Sequence, residues 1–188
     1  YCQFCCNFAT NRKQVRAKHM SDIYKTISTP TEGIYKEKGS KFLAFAYPVA
    51  SEVDVKEKID ALKTKYFDAR HHCYAWILGA DKKHYRANDD GEPNHSASDP
   101  ILGQLRAMNV TNVLIVVVRY FGGVKLGVGG LVTAYRTAAE ESLRNATIIE
   151  REVSDRITIK YPYTATTDVM RLVKEFDLRI VARDFTEG

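Results

Sequence analysis

The sequence predicts an α+β protein, with a ββαβαβα domain over residues 21–150 followed by a smaller β-α-β unit over residues 151–188. Three observations lead there. The six-residue run Val113 to Val118 is apolar without alternation, the pattern of a central strand covered on both sides or at least deeply buried. Stretches with apolar residues at helical spacing are interleaved with short β-branched and aromatic runs. The length, 188 residues, suits one domain or one domain with a small companion. Hydrophobic residues make up 45% and charged residues 27%, which excludes a disordered or collagen-like chain. No apolar run approaches the ~20 residues of a membrane-spanning helix.

The elements follow in order. Residues 1–20 read as a leader or extension. They hold Arg12, Lys13, Arg16 and Lys18 and no acid, so most of the net charge of +5 belongs to them. A bulk-charge argument for nucleic-acid binding therefore loses most of its force. Cys2, Cys6 and His19 have three-quarters of a zinc-finger spacing, but Ile23, Tyr24 and Lys25 occupy the positions for a fourth ligand. Cys73 is alone in the body of the chain, so a disulfide framework is not expected and a reducing cytoplasm fits. Residues 31–49 read as a strand pair around the turn Gly39-Ser40. Ser51 with Asp54 caps a helix over 52–67, whose buried stripe is Val55, Ile59, Leu62 and Tyr66. Residues 72–79 form a strand and 80–97 a polar stretch. Ser98-Asp99-Pro100 starts a second helix, with Ile101, Leu102, Leu105 and Met108 inward. After the buried strand 112–120 and a glycine-rich segment, Leu131, Tyr135, Ala138 and Ser142 mark a third helix to about Asn145. Beyond 153, a strand with Ile157, Ile159 and Tyr161, a helical stripe and a last strand make one β-α-β, too small to close a core alone.

Two segments have the residues for recognition chemistry. The first runs from Arg119 and Tyr120 through Gly122, Gly123, Lys125, Gly127, Gly129 and Gly130. A strand, a glycine-rich turn and a helix start can present backbone N–H groups to an anion. The spacing matches neither the Walker nor the dinucleotide fingerprint. Glycines that serve only turns and close packing are the commoner explanation. The second is Asp89, Asp90, Gly91 and Glu92, with His95 and Ser96 nearby. These residues suit acid–base work, a hard metal, or a solvated turn whose acids favour the next helix start. His71 and His72 should point to opposite faces of their strand, and Cys73 reads as a core thiol. The backbone between Tyr120 and Leu131 should border an open hollow beside the carboxylate turn.

The segments Asp68 to Trp76, Asp89 to Pro93 and Arg119 to Val132 together resemble the IMPACT/YigZ family closely, in content and order. The likeness covers about Thr31 to Asn145 and continues weakly beyond. It implies a two-layer N-terminal domain resembling domain IV of elongation factor G. It also implies a ferredoxin-like C-terminal domain resembling its domain V, of which this chain supplies the first β-α-β. Eukaryotic relatives regulate translation by interfering with activation of a kinase that phosphorylates an initiation factor. Bacterial members are candidates for binding nucleic acid or the ribosome. The expectation is thus a cytoplasmic, non-enzymatic binding module linked to translation, with RNA, the ribosome or a protein as partner and no membrane. No cofactor or metal is called for, and a homo-oligomer stays open. The alternative is an enzyme for a phosphorylated or carboxylated small molecule, with Asp89, Asp90 or Glu92 as base or metal ligand.

Overall fold

The computed structural model describes residues 2–9 and 23–185. In chain order the elements are β1 (Cys2–Ala9), β2 (Ile23–Ile27), β3 (Thr31–Glu37), β4 (Ser40–Pro48), α1 (Glu52–Lys65), β5 (His71–Leu78) and β6 (His84–Asn88). They continue with α2 (Ser98–Ala107), β7 (Val113–Tyr120), α3 (Gly127–Arg144), β8 (Ile148–Glu152), β9 (Ser154–Tyr161), α4 (Thr166–Glu175) and β10 (Arg179–Phe185). The mixed α/β chain divides into two compact units. One spans Ile23–Arg151, and the other joins the N-terminal residues to those from Glu152 onward.

The larger unit is built on a five-stranded sheet in the order β3-β4-β7-β5-β6. Every neighbouring pair is antiparallel. The unalternating strand β7 lies at its centre, and Val113 through Val118 are fully buried. Val113, Ile115 and Val117 pack in one core cluster with residues of α2 and α3. Leu114, Val116 and Val118 pack in another with Val55, Ile59 and Leu62 of α1. The expected two-layer arrangement is therefore corrected to three layers, with one helix on one face of the sheet and two on the other. The physical reason is β7 itself, since a strand apolar on both faces requires cover on both.

Sequence reading also missed β2, β6 and β8. The 80–97 segment contains β6 rather than being wholly irregular. Its residues are exposed or half-buried because it is an edge strand, so its apolar alternation is weak. β2 and β8 pair with each other as a separate two-stranded sheet. The start of α1 follows the expected pattern: the Asp54 amide donates to Ser51 Oγ at 3.2 Å, and Asp54 Oδ2 accepts from the Ala50 amide at 3.0 Å. For α2 the expected cap is corrected. Ser98 stands inside the first turn, and the Asp89 carboxylate, nine residues upstream, accepts from the Ser98 amide at 2.8 Å.

In the smaller unit β1 lies between β9 and β10. It is antiparallel to both, so β9 and β10 run parallel to each other with α4 connecting them. Residues 2–9, read from sequence as part of an extension, thus supply a central strand of this sheet. Tyr161 and Val173 form its small buried cluster, with Ile159, Val169 and Leu178 packed against them. His19, one of the residues with zinc-like spacing, falls outside the described residues.

Candidate functional site

Strand parity decides which side chains meet. Arg119 pairs with Phe42 on one side and His71 on the other. It continues the face of Val113, Ile115 and Val117 beyond the end of the apolar run, on the side of α2 and α3. Its side chain is 8% exposed and its Nη1 donates to Glu92 Oε1. Its guanidinium carbon lies 5.5 Å from the ring centroid of Phe42 and 5.7 Å from that of Phe121. Its Nε is buried and has no hydrogen-bond partner among the described residues.

Glu92 Oε1 also accepts from the Tyr135 hydroxyl at 2.8 Å. Burial, the neighbouring Cys73 and Glu92 push the Tyr135 hydroxyl well above its ordinary value, so it stays a donor. The Cys73 sulfur lies 3.3 Å from that hydroxyl and 3.0 Å from the Asp89 carbonyl. Burial pushes this thiol up as well, consistent with the reading of a core thiol that is not a nucleophile. Arg119, Glu92, Tyr135 and Cys73 thus form one connected polar chain beneath the end of the sheet.

The turn before α2 is organised by its own carboxylates. Asp89 accepts from the amides of Ser98, Ala97 and His95 at 2.8, 3.0 and 2.9 Å. Burial acts to raise this carboxyl, but those donated hydrogen bonds outweigh it and hold the group below its ordinary value. Asp90 Oδ2 accepts from the His72 amide at 2.7 Å, and His71 Nδ1 lies 2.9 Å from the Asp90 carbonyl. A carbonyl only accepts, so Nδ1 of His71 holds a proton. The two histidines do point to opposite faces: His71 borders the α3 side, while His72 is buried near Lys63 and Asp90.

Above this polar chain lies a hollow of about 430 Å³. Glu92, Arg119, Lys125 and Gly127 of the residues singled out in the sequence border it, together with Arg70 and His71. Phe121, Leu126, Val128, Leu131 and Pro93 supply an apolar wall. Neither Arg70 nor Lys125 has an ion-pair partner among the described residues. The first turn of α3 has no side-chain cap and no acidic residue.

The remaining singled-out residues lie elsewhere or serve the backbone. Tyr120 points to the α1 face, where its hydroxyl donates to Asp68 Oδ1 at 2.7 Å, and that bond pushes it up to about 12. Gly122 lies against the β3–β4 turn: a Cβ there would fall 1.8 Å from the Gly39 carbonyl carbon. Gly91, Gly123 and Gly127 have φ of +87°, +87° and +71°, which side chains disfavour. A Cβ on Gly130 would reach 3.0 Å from the Leu126 Cβ, whereas one on Gly129 would meet nothing within 4 Å. The sequence reading missed Arg70 and Phe121. Arg70 lay in the segment Asp68 to Trp76 that carries the resemblance, but nothing there set it apart as a binding residue. Phe121 had a local signal, as a large aromatic residue inside a glycine-rich loop. Among the described residues, no group of three or more His, Cys, Asp or Glu side chains is gathered to hold a metal, and no helix is long and apolar enough to cross a membrane.

The five-stranded antiparallel sheet is thus covered on both faces, with a hollow bordered by Arg70, Arg119 and Lys125 beside it. The Impact N-terminal domain family matches residues 38–143, and the chain belongs to the IMPACT family. It is 32% identical over 160 residues to the IMPACT family member YigZ of Escherichia coli, covering 84% of this chain and 78% of that protein. It is 33% identical over 145 residues to the IMPACT family member YvyE of Bacillus subtilis, covering 77% of this chain and 67% of that one. A crystal structure described as that of a hypothetical protein superposes with a TM-score of 0.71 at 24% identity. It covers 90% of this chain and all of that one, a likeness of fold.

Proposed function

We propose that this protein is a non-enzymatic, translation-linked binding module of the cytoplasm whose recognition surface is the hollow at the start of α3. The observation that supports the reading best is that Arg70 and Lys125 border one hollow and neither is neutralised by an ion-pair partner among the described residues. Unpaired cations beside an uncapped helix start favour an anionic partner. A second groove, about 630 Å³ between α1 and β5–β6, sets Lys56, Lys63 and Arg86 against Glu52, Asp60 and Asp90 and has no such bias.

Acid–base chemistry by the carboxylate turn has less support. Asp89 is engaged by three amides and Glu92 by Arg119 and Tyr135, so neither is poised for a substrate proton. The likeness to domains IV and V of elongation factor G, expected from the family, makes the ribosome the natural first partner to test, with RNA supplying the anionic groups.

The test is cosedimentation of the full chain with ribosomes, and direct RNA binding, across about 50–200 mM salt. Affinity should fall steeply with salt. Lys125→Ala should weaken binding and reduce the slope of log K against log salt by about one unit or less. Binding that ignores salt, or no association with either partner, would refute the reading.

A further inference from the structure

We propose that the hollow receives the phosphate-monoester end of a nucleotide. The phosphate lies among Lys125, Arg70 and the first turn of α3, and the base rests on Phe121. This rests on the binding reading above and narrows it to one ligand chemistry.

Charge selects a dianion. Three cations and one carboxylate border the hollow, and that carboxylate already accepts from Arg119 and Tyr135. The uncompensated charge is therefore that of Arg70 and Lys125. A phosphate monoester bears about −1.5 to −2 at neutral pH, which matches two cations. A peptide carboxylate or an internal phosphodiester brings a single negative charge and leaves one cation unmatched.

Arg119 is a second, independent pointer. A guanidinium has five N–H donors, and one bonded partner, Glu92, is not enough for a charge with 8% of its side chain exposed. Its Nε has no partner among the described residues, and Arg119 itself borders the hollow. A ligand oxygen beside it would add the acceptor that a buried cation lacks.

Shape and surface select the rest of the ligand. About 430 Å³ is within the range of small-molecule sites, roughly 300–1,000 Å³. Phe121 is 52% exposed although aromatic, and Val128 beside it on the wall is 57% exposed. An exposed ring bordering the same hollow as unpaired cations is an arrangement on which a base stacks while its phosphate is held. Among the first-turn residues, Gly127 borders the hollow and leaves open space where a side chain would stand, so a ligand can approach the backbone there.

Free mononucleotides and RNA ends share this chemistry, and the experiment separates them. Binding of the full chain to a short single-stranded RNA is compared with a 5′-phosphate and with a 5′-hydroxyl. AMP, adenosine, inorganic phosphate and an apolar peptide with a free C-terminus serve as competitors. The phosphorylated RNA should bind about tenfold or more tightly than the hydroxyl form. AMP should displace it and adenosine should not. Lys125→Ala and Phe121→Ala, both at exposed positions, should each weaken binding about tenfold while the melting temperature stays unchanged. AMP binding without RNA binding assigns the site to free nucleotides and upholds it. Equal affinity for both RNA ends with no AMP binding, indifference to both substitutions, or stronger competition by the peptide overturns the proposal. Ribosome association with no binding of AMP and no preference for the 5′-phosphate overturns it and leaves the translation reading standing. AMP binding with no ribosome association does the reverse.

Discussion

Glu92 and Arg119, 27 residues apart in the chain, meet in a place where neither charge could stay alone. Removing one partner of such a buried pair strands the other, at a cost of about 3–5 kcal/mol. Asp89 is tied similarly, but to backbone amides, so its charge holds a turn and a helix start together. His72 shows the opposite strategy. Burial lowers its pKa from the ordinary 6.5, more than the nearby Asp90 raises it, so the ring is held neutral. In the window between that lowered value and 6.5 the unfolded chain binds more protons than the folded one. Stability therefore rises with pH through this window and is fully present above 6.5. The loss on acidification begins below 6.5 and stops growing once the folded-state value is passed. His72→Phe keeps the backbone bond to Asp90 and removes the titration, along with a buried Nε2 that has no partner among the described residues. Denaturant melts at successive pH values from 7.5 to 5 should show the variant losing less stability than the parent. Parallel losses would contradict this account of His72.

At the scale of elements, the glycine-rich link between β7 and α3 combines uses that the sequence left as alternatives. Gly122 is there for packing, because the β3–β4 turn occupies the space of its side chain. Gly123 and Gly127 turn the chain at positive φ. Gly129 answers to neither need: it is helical, has ordinary φ and faces open space. The same substitution should then have opposite signs a few residues apart. Gly122→Ala should destabilise by about 2 kcal/mol or more, since backbone rather than a flexible side chain must move. Gly129→Ala should stabilise by up to about 1 kcal/mol, the usual gain of alanine over glycine in a helix. Chemical denaturation of both variants checks the pair. A loss at Gly129 comparable to that at Gly122 would mean that the loop is packed throughout.

For the whole molecule, the two units differ in how they are assembled from the chain. Both large core clusters fall within residues 23–151. A fragment of residues 23–152 should therefore fold cooperatively by itself, with the near-ultraviolet signal of buried Trp76 intact. The smaller unit brings β1 between two strands more than 140 residues later in the chain. A second truncation, residues 23–188, keeps β9 and β10 but lacks that strand, so protection of their amides from exchange should drop in it. A fragment that fails to fold, or amides as protected as in the full chain, would contradict this division.

The sequence by itself determined the elements whose signals are local: the capped helix α1, the stripe of α3, the hairpin of β3 and β4, and the buried strand β7. Each is written in neighbours a few residues apart, through periodicity, caps and turn residues. It also contained the residues of two hollow-bordering segments, including Glu92, Arg119, Lys125 and Gly127. Only the tertiary structure decided that the sheet has helices on both faces, that Asp89 caps a helix, and that Tyr120 belongs to the far side. It also decided that Arg70 and Phe121 join the site. The face of Tyr120 and the meeting of Arg119 with His71 depend on antiparallel register, where a shift of one residue reverses the face of every side chain. Register is set by pairings between strands far apart in the chain, so no short window of sequence contains it.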